Sequence, residues 1–323
     1  HQKNIVMIKV SIVIVCMNNL KNLYPCLDSI KRYTTVSYET FVVAYLFSKE
    51  NLDKLRKDYP WVKFIESNEI RGFSENNNLA LRHAKGKYCF ILNDDTEMKM
   101  PVIDLLVKDI EKLSSKIACV SPKTVFGDGR LQSCGRPPIT WNTYLLRMLH
   151  LWKESNDKNW INKEGLFRSY NLVGAAFLIR TEIFRNIGWF DEYYFFCPED
   201  IKVGTELNKL GYECWVDSDV VLCHYEGGSS RTKCNKTQMA TTPAAVRGSI
   251  HYFSNGLVHR RIIITSISFF VNLIRLFVHT IKGIVNSKPN NNIYKAKATL
   301  NTLMYSYGNK SPKEIFTKIY TKI

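Results

Sequence analysis

The amino-acid sequence predicts an α/β fold, with a mostly parallel sheet flanked by helices and a helical, basic C-terminal extension. Apolar runs of strand length alternate with segments of helical spacing, which is the arrangement that joins parallel strands. Of the 323 residues, 45% are hydrophobic and 23% are charged, a balance that excludes disordered and fibrous chains. Basic residues are concentrated at the C-terminal end, which sets that region apart from the rest.

The first part of the chain contains strand-like runs separated by helical segments. Residues 9–16 form a continuous β-branched run, which is typical of a strand buried on both faces. The further predicted strands lie at 40–47, 61–65, 88–92 and 117–121, and the predicted helices at 23–33, 51–58, 75–85 and 101–113. This alternation indicates parallel pairing with right-handed crossovers. In open sheets of this kind, ligands bind at the carboxyl ends of the strands.

The second part of the chain is less regular. Residues 126–170 show no clear period, and a strand at 171–180 and helices at 181–187 and 201–210 follow. Two short strands are predicted at 214–216 and 220–223, around a turn at 217–219 where Asp-Ser-Asp interrupts the apolar run. We assign residues 8–230 to the α/β domain and residues 231–323 to the extension.

The net charge of +16 is divided unevenly along the chain. Residues 228–323 hold fifteen Lys and Arg against a single acid, Glu314, for a net charge of +14, whereas the first 227 residues carry only +2. A protein that binds nucleic acid usually spreads its basic residues over the domain that reads the ligand, and no such recognition motif is present. The charge therefore favours an anionic membrane surface over a nucleic acid.

Residues 262–285 predict a long apolar helix with one polar stripe. Polar residues recur at 265, 268, 272, 275, 279 and 282, and most of the remaining residues are Ile, Leu, Val and Phe. Polar side chains near the middle make a membrane span costly, so a helix lying in the membrane interface is favoured. A helix packed on the α/β domain or on a second copy of the chain is the alternative, and a homodimer stays open.

The cysteines predict a reducing environment. Their number, nine, is odd, and no Cys-x-x-Cys pair occurs. This pattern excludes a zinc ribbon and argues against a disulfide framework. We therefore expect a protein of the cytosol.

An acidic segment directly follows the predicted strand at 88–92. Its sequence, Asn-Asp-Asp-Thr at 93–96, offers two adjacent carboxylates and an amide oxygen. Oxygen ligands of this kind bind Mg²⁺ or Mn²⁺ and leave room for the phosphate oxygens of a substrate. A polar turn that caps the next helix is an equally good interpretation.

Two more polar clusters are candidate site residues. His224 ends the last predicted strand and is followed by Gly227 and Gly228, where bare backbone lets a phosphate approach closely. Glu199 and Asp200 precede a predicted helix, where a carboxylate can serve as a general base. The alternatives are a hydrogen-bonded structural histidine and ordinary acidic residues at a helix N-terminus.

Four segments of the chain occur in an order known from one enzyme family. They are SIVIVCMNN, RGFSENNNLALRHAKGKYCFILNDDTEM, VGAAFLIRTEIFRNIGWFDEYYFFCPED and GYECWVDSDVVLCHYEGGSS. Together they resemble family 2 glycosyltransferases of the rhamnosyltransferase-like branch, which have the GT-A fold. The similarity extends over about residues 9–230 and implies that this region is the catalytic domain.

The resemblance implies roles for individual residues. Asn93 and Asp95 match the DxD-type motif that holds a divalent cation, Mn²⁺ or Mg²⁺, on the donor diphosphate, with Asp95 as the direct ligand. His224 matches the histidine that closes the metal site. Asp200 matches the catalytic base, and Glu199 is its neighbour in the pair. The further residues matched to donor binding are Gly72, Asn78, Asp94, Gly174 and Ala175.

The resemblance also implies the reaction. We expect an inverting, metal-dependent transfer of a sugar from a nucleotide-sugar donor to a saccharide or lipid-linked acceptor, in surface glycan synthesis at the inner face of the membrane. The cation neutralises the leaving diphosphate while the carboxylate takes the proton of the acceptor hydroxyl. Trp141, Trp152 and Trp160 are candidates for stacking on sugars, with burial in the core as the alternative.

The chain departs from the family pattern at three places. After the second strand the family has Asp-Asn-x-Ser, but residues 44–48 read Ala-Tyr-Leu-Phe-Ser, with no acid to hold the nucleotide. Lys202 stands where an acid is common, and Ile70 stands where an Asn often precedes the Gly of the nucleotide-side loop. The alternative function is therefore a catalytically inactive scaffold that binds a nucleotide sugar.

Overall fold

A computed structural model describes residues 7–161, 163–225, 234–285 and 291–323, and it confirms a central, mostly parallel sheet flanked by helices. The strands in this part of the chain are β1 (Val10–Cys16), β2 (Tyr38–Tyr45), β3 (Val62–Ser67), β4 (Tyr88–Asn93), β5 (Thr96–Met98), β6 (Ile117–Val125), β7 (Leu131–Ser133), β8 (Leu166–Ser169), β9 (Ala176–Arg180) and β10 (Glu213–His224). The α-helices are α1 (Leu20–Tyr33), α2 (Lys49–Asp58), α3 (Phe73–Leu81), α4 (Val102–Lys112), α5 (Trp141–Met148), α6 (Thr181–Asn186), α7 (Glu199–Lys209), α8 (Cys234–Ser254), α9 (Val258–Val285), α10 (Asn291–Tyr305) and α11 (Pro312–Tyr320).

The order of the strands brings the ends of β4 and β10 to the same edge of the sheet. The order is β3-β2-β1-β4-β9-β6-β10-β5, with β7 beside β6 and β8 beside β10. Strands β1 to β4 pair in parallel, and so do β6 and β10, whereas β9 runs antiparallel between β4 and β6. Strand β5 turns back and pairs antiparallel with the end of β10.

The core lies on both faces of the sheet, as the β-branched run at 9–16 predicts. Ile12 and Ile14 of β1 pack on one face, together with side chains of α1, α2 and α4. Val13 points to the other face, where Leu81 of α3 and Phe184 of α6 are buried. Because successive side chains of a strand alternate between faces, a strand covered on both sides must be apolar throughout.

The predicted turn at 217–219 is wrong, because β10 continues from Glu213 to His224 without a break. Asp217 pairs with Leu166 of β8, and the register against β6 shifts between Asp217 and Val221. The Asp217 carboxylate accepts a hydrogen bond of 2.8 Å from the backbone N–H of Asp219, so the turn-like bond is made within the strand. Pairing of Asp217 with β6 and β8, and of Val221 with β6, outweighs the local preference of Asp-Ser-Asp for a turn.

The C-terminal helices pack on the α/β part of the chain. Phe316 of α11 stacks on Phe195 with ring centroids 4.2 Å apart, and Ile315 and Ile319 are buried in the same cluster. Lys313 also pairs with Glu75 of α3, with Nζ and Oε1 2.7 Å apart. The boundary at residue 230 and the Gly227–Gly228 pair lie outside the described residues.

Helix α9 turns the middle of its polar stripe toward the protein and its apolar face outward. Ser268 and Asn272 are buried, and both hydrogen-bond to the hydroxyl of Tyr307, at 3.0 and 3.1 Å. The large side chains on the opposite face are exposed, Phe270 by 64% and Phe277 by 67%. By length and composition α9 is the helix that could cross a membrane among those of the described ranges.

Candidate active site

The first part of the site is formed where β4 and β10 end. Asn93 is the last residue of β4, and Asp94 and Asp95 occupy the turn before β5. Strand β5 pairs Thr96 with His224, which brings the histidine ring onto the acidic segment. His224 Nε2 lies 3.1 Å from Asp95 Oδ1 and 3.4 Å from the side-chain nitrogen of Asn93. The sheet therefore joins residues that are about 130 positions apart in sequence.

The contact between His224 and Asp95 suits a divalent cation. Gln132 Oε1 is 2.7 Å from His224 Nδ1. This arrangement fits a proton on Nδ1 and leaves the lone pair of Nε2 facing the carboxylate oxygen of Asp95. Two neighbouring ligands of an octahedral cation, each about 2.1 Å from the metal, stand about 3 Å apart. Among the described residues no three His, Cys, Asp or Glu side chains form a closed metal cluster, so further ligands would come from substrate and water.

Asp94 is the inner residue of the acidic segment. It is buried, and its Oδ2 has no hydrogen-bond partner. Burial, followed by the charge of Asp95, raises the pKa of Asp94 to about 7, while a hydrogen bond from Cys16 acts in the opposite direction. A carboxyl group in this environment is stabilised in its ionised form by a nearby positive charge. The orphaned oxygen is thus a second observation that fits a cation here.

The second part of the site is the carboxylate of Asp200, in the first turn of α7. Its Oδ2 is in direct contact with Arg136 Nη1, and the same guanidinium nitrogen donates to the carbonyl oxygen of Leu172 at 3.2 Å. Burial lowers the pKa of Arg136, but the charge of Asp200 outweighs this effect and the net shift is upward. Arg136 therefore keeps its positive charge, and its guanidinium holds one oxygen of the Asp200 carboxylate.

Glu199 is placed differently from its neighbour. It is buried, its Oε2 has no hydrogen-bond partner, and burial followed by the charge of Asp200 raises its pKa to about 8. Such a carboxyl group is mostly neutral at pH 7. Asp200, with 19% of its side chain exposed, is the better placed of the two to meet a substrate.

Gly174 and Ala175 connect the two parts of the site. The carbonyl oxygen of Ala175 accepts a hydrogen bond of 3.0 Å from the backbone N–H of Asn93. A Cβ atom on Gly174 would lie 2.9 Å from Asp200 Oδ2, so the backbone approaches the carboxylate as closely as a glycine allows. Gly174 therefore lies against the candidate base, while Ala175 next to it is hydrogen-bonded to the end of β4.

Gly72, just before α3, and Asn78, within α3, both contact residues 190–197, the segment that leads to Glu199. A Cβ atom on Gly72 would lie 2.4 Å from the carbonyl oxygen of Phe195. The amide of Asn78 donates to the carbonyl oxygen of Phe190 and to Glu192, each at 2.9 Å, and accepts from the N–H of Phe190 at 3.2 Å. Both residues hold the 190–197 segment in place, and their contact with a nucleotide stays a prediction.

Sequence reasoning missed two functional candidates, Arg136 and Gln132. Both lie in or next to the stretch 126–170, where no period is visible, and their partners are 64 and 92 positions away. The only local signal is the Pro-Pro dipeptide after Arg136, which marks an extended segment. Lys202, in turn, contacts Asp191, with Nζ and Oδ2 3.5 Å apart, and this contact gives it a partner other than Asp200.

The three tryptophans considered for sugar stacking lie in different surroundings. Trp152 donates a hydrogen bond to buried Asp157, and Trp160 packs edge-on against Tyr170. Trp141, at the start of α5, lines a cleft beside α7. Of the three, Trp141 has its ring at an open cavity.

The chain is similar to known proteins in sequence. The model of glycosyl transferase family 2 matches residues 11–188, more than half of the chain. The O-antigen biosynthesis protein RfbC of Myxococcus xanthus is 24% identical over 206 residues. That match covers 60% of this chain but only 14% of the relative, so the chain spans about a seventh of that protein.

Solved structures share the fold at low identity. The mannosyltransferase PcManGT from Pyrobaculum calidifontis, in complex with GDP-Man and Mn²⁺, is 14% identical, with a TM-score of 0.53 over 91% of this chain and 87% of that one. GalNAc-T7 with UDP, GalNAc and Mn²⁺ is 18% identical, with a TM-score of 0.54 over 76% of this chain and 52% of that one. These likenesses establish the GT-A type of fold.

Proposed function

Because the chain belongs to glycosyl transferase family 2, and is thus a glycosyltransferase, we propose that it moves a sugar from a nucleotide-sugar donor to a saccharide or lipid-linked acceptor with inversion. The observation that carries this proposal is the link between the two parts of the site: Ala175 is hydrogen-bonded to Asn93, beside the Asp95–His224 pair, and Gly174 lies against Asp200. It offers a place for a diphosphate at one end and a base at the other. The similarity to an O-antigen biosynthesis protein supports a role in surface glycan synthesis.

A divalent cation, Mn²⁺ or Mg²⁺, would be held by Asp95 and His224. Both neighbours in structure contain Mn²⁺ with a nucleotide or nucleotide sugar, which supports this assignment. When bound, the cation supplies positive charge that stabilises the leaving diphosphate. Gln132 fixes the histidine ring with its lone pair toward the site, and a bound cation would stabilise the ionised form of Asp94, whose pKa burial raises to about 7.

Asp200 acts as the general base. It takes the proton of the acceptor hydroxyl as that oxygen forms a bond to the anomeric carbon and the bond from that carbon to the diphosphate breaks. Attack from the face opposite the leaving group inverts the configuration of the anomeric carbon. Arg136 holds one carboxylate oxygen, so the orientation of Asp200 is set before the acceptor arrives.

The protein works at the inner face of a membrane, held by α9. The exposed apolar face of this helix is larger than soluble proteins usually leave uncovered, and the extension around it is strongly basic. Helix α10 packs along α9 and carries exposed Lys295 and Lys297, which favours a helix lying in the interface over one surrounded by lipid. The eight cysteines whose side chains the structure describes form no disulfide with one another.

The second candidate function is an inactive scaffold that binds a nucleotide sugar. The end of β2 favours it, because Ala44 and Tyr45 offer no carboxylate at the place where the family has one. Asp95, His224 and Asp200 argue for catalysis, since a scaffold has no need of a base.

Donor hydrolysis distinguishes the two functions. A panel of UDP-, GDP- and dTDP-sugars is first scored by thermal shift with Mn²⁺, and those that bind are tested for release of the nucleoside diphosphate. We expect hydrolysis that requires Mn²⁺ and falls at least a hundredfold in Asp200→Asn, the usual scale of general-base loss. Binding without any release of diphosphate would identify the scaffold.

A further inference from the structure

Helix α11, at the C-terminal end of the chain, packs against the loop between β3 and α3. This loop, residues 68–72, is the nucleotide-side loop of the family resemblance. Ile70 of the loop packs on a buried cluster to which α11 contributes Phe316. The loop begins where β3 ends, beside the end of β2, since Tyr45 pairs with Ser67. The extension therefore reaches the edge of the sheet that also holds the metal-side residues at the end of β4.

Glu75 joins α11 to the beginning of α3. Its Oε1 lies 2.7 Å from Nζ of Lys313 in α11, and its Oε2 accepts a hydrogen bond of 3.2 Å from the backbone N–H of Gly72. One oxygen of the carboxylate is thus held by the extension, and the other holds the last residue of the nucleotide-side loop. A side chain tethered at both oxygens is ordered before a ligand arrives, which lowers the cost of binding.

A second contact runs from α11 to the same loop through the segment that leads to the candidate base. Phe316 stacks on Phe195, with ring centroids 4.2 Å apart. The carbonyl oxygen of Phe195 accepts a hydrogen bond of 2.7 Å from the backbone N–H of Phe73, and it lies too close to Gly72 to leave room for a side chain there. Helix α11 therefore supports the loop by an ion pair and by an aromatic stack.

Two departures from the family pattern lie at this contact. Ile70 is apolar where the family often has an Asn, and it packs on the cluster of α11. Tyr45 stands in the segment where the family has an acid, and its hydroxyl accepts a hydrogen bond of 3.4 Å from the backbone N–H of Arg71. Burial raises the pKa of Tyr45 to about 12, and Tyr320 and Glu75 act in the same direction. A neutral phenol and an apolar side chain thus take the place of polar family residues.

The loop lies within reach of a donor bound at the metal side. Neighbouring strands are about 4.8 Å apart, so the ends of β2 and β4, with β1 between them, are about 10 Å apart. A nucleoside bound through its diphosphate at Asp95 extends over that distance. We propose that α11 completes the donor site, and that Lys313 positions the nucleotide-side loop through Glu75. This inference rests on the proposed function, because it requires the nucleoside of the donor to lie beside Gly72.

Binding of a nucleoside diphosphate to the full-length chain tests the proposal. UDP, GDP and dTDP are titrated with Mn²⁺ present by isothermal calorimetry, and the one that binds most tightly is used for the variants. We expect Lys313→Ala to raise its Kd roughly fivefold or more, because the loop must then be ordered on binding. Lys313→Arg keeps the charge opposite Glu75 and should bring Kd to within about twofold of the unchanged protein. In donor hydrolysis, Lys313→Ala should raise KM by the same factor and leave kcat within about twofold.

A double-mutant cycle separates positioning from direct attraction between the lysine and the donor. Glu75→Gln keeps an oxygen for the N–H of Gly72 but loses the charge opposite Lys313. If Lys313 acts through Glu75, then adding Lys313→Ala to Glu75→Gln should change Kd by less than about twofold. A larger change would show that the lysine attracts the diphosphate directly, and this would overturn the proposal.

Two controls make the outcome decisive. Lys9→Ala breaks an ion pair of 2.8 Å with Glu111 at the opposite end of β1, and it should leave Kd unchanged. The urea midpoint of Lys313→Ala should match that of the unchanged protein, since this lysine side chain is 45% exposed. A smaller rise of Kd in Lys313→Ala, an equal rise in Lys9→Ala, or weaker binding together with a lower urea midpoint would overturn the proposal. If the unchanged protein binds none of the three nucleotides with Mn²⁺, the proposed function itself is contradicted.

Discussion

The ion pair between Arg136 and Asp200 should control both the stability of the site and the rate of transfer. Replacing Arg136 with Gln removes the contact to the carboxylate and keeps a group that can donate to the carbonyl oxygen of Leu172. The side chains are only 25% and 19% exposed, so water screens the pair weakly. A hydrogen bond to a charged group contributes about 1.5–3 kcal/mol, and part of the carboxylate stays hydrated. We therefore expect a coupling energy of about 1–3 kcal/mol.

A double-mutant cycle measures this coupling. The free energy of unfolding in urea is determined for the unchanged protein, Arg136→Gln, Asp200→Asn and the double variant. The exposed pair of Arg56 and Glu66, at 2.7 Å, is the matched control, and its coupling should stay below about 0.5 kcal/mol.

The same substitution should slow the reaction. Without the arginine only the backbone N–H of Ile201 holds the Asp200 carboxylate, through Oδ1 at 2.8 Å, and misplacement of a catalytic group by about 1 Å costs on the order of a hundredfold. We expect kcat of Arg136→Gln to fall roughly ten- to a hundredfold, measured as release of nucleoside diphosphate. An unchanged kcat together with a coupling energy near zero would refute the idea that Arg136 positions Asp200.

Three further predictions follow from the geometry. Asp95→Asn keeps the shape of this buried residue, so the protein should stay folded. The Mn²⁺-dependent part of the thermal shift caused by a nucleoside diphosphate should be lost. An unchanged thermal shift would show that Asp95 does not bind the metal. Burial raises the pKa of Glu199 to about 8, above its unfolded value, so its contribution to stability is present at low pH and lost as pH rises toward 8. Between pH 5 and pH 8, the free energy of unfolding in urea should therefore fall by roughly 2–4 kcal/mol more in the unchanged protein than in Glu199→Gln. Parallel pH profiles of the two proteins would contradict this. Finally, Phe270→Asp combined with Phe277→Asp should reduce binding to anionic vesicles at least tenfold. The control Leu210→Asp, at an exposed position outside α9, should leave vesicle binding unchanged. An equal loss of binding in all variants, or a dimer that dissociates in the α9 variant, would show that the apolar face does not bind a membrane.

Local apolar pattern was sufficient to predict most of the sheet, because a strand buried on both faces has to be apolar along its length. The run at 9–16 and the strand at 88–92 correspond to β1 and β4. The pattern failed where pairing decides the conformation. Residues 217–219 favour a turn locally, but β10 continues through them because Asp217 pairs with β6 and β8 and Val221 pairs again with β6.

The sequence by itself also identified the residues that the site brings together. Asn93, Asp95 and His224 were found from strand ends and from the family resemblance, and the sheet order joins them because β4 and β10 end at the same edge. The family resemblance assigned the base to Asp200, and that role stays a prediction. The structure adds that Glu199 is buried, whereas Asp200 is partly exposed and in contact with Arg136.

Contacts between residues that are far apart in the chain could be found only from the tertiary structure. Arg136 and Gln132 carry no periodic or motif signal, and their contacts arise only when β6 and β7 are set beside β10 and α7. The orientation of α9 also depended on the tertiary structure. The sequence showed the polar stripe of this helix but did not show whether the stripe faces the protein or the solvent. Packing against α10 and the hydroxyl of Tyr307 turns Ser268 and Asn272 inward, because buried polar groups need hydrogen-bond partners, and this leaves the apolar side of the helix facing outward.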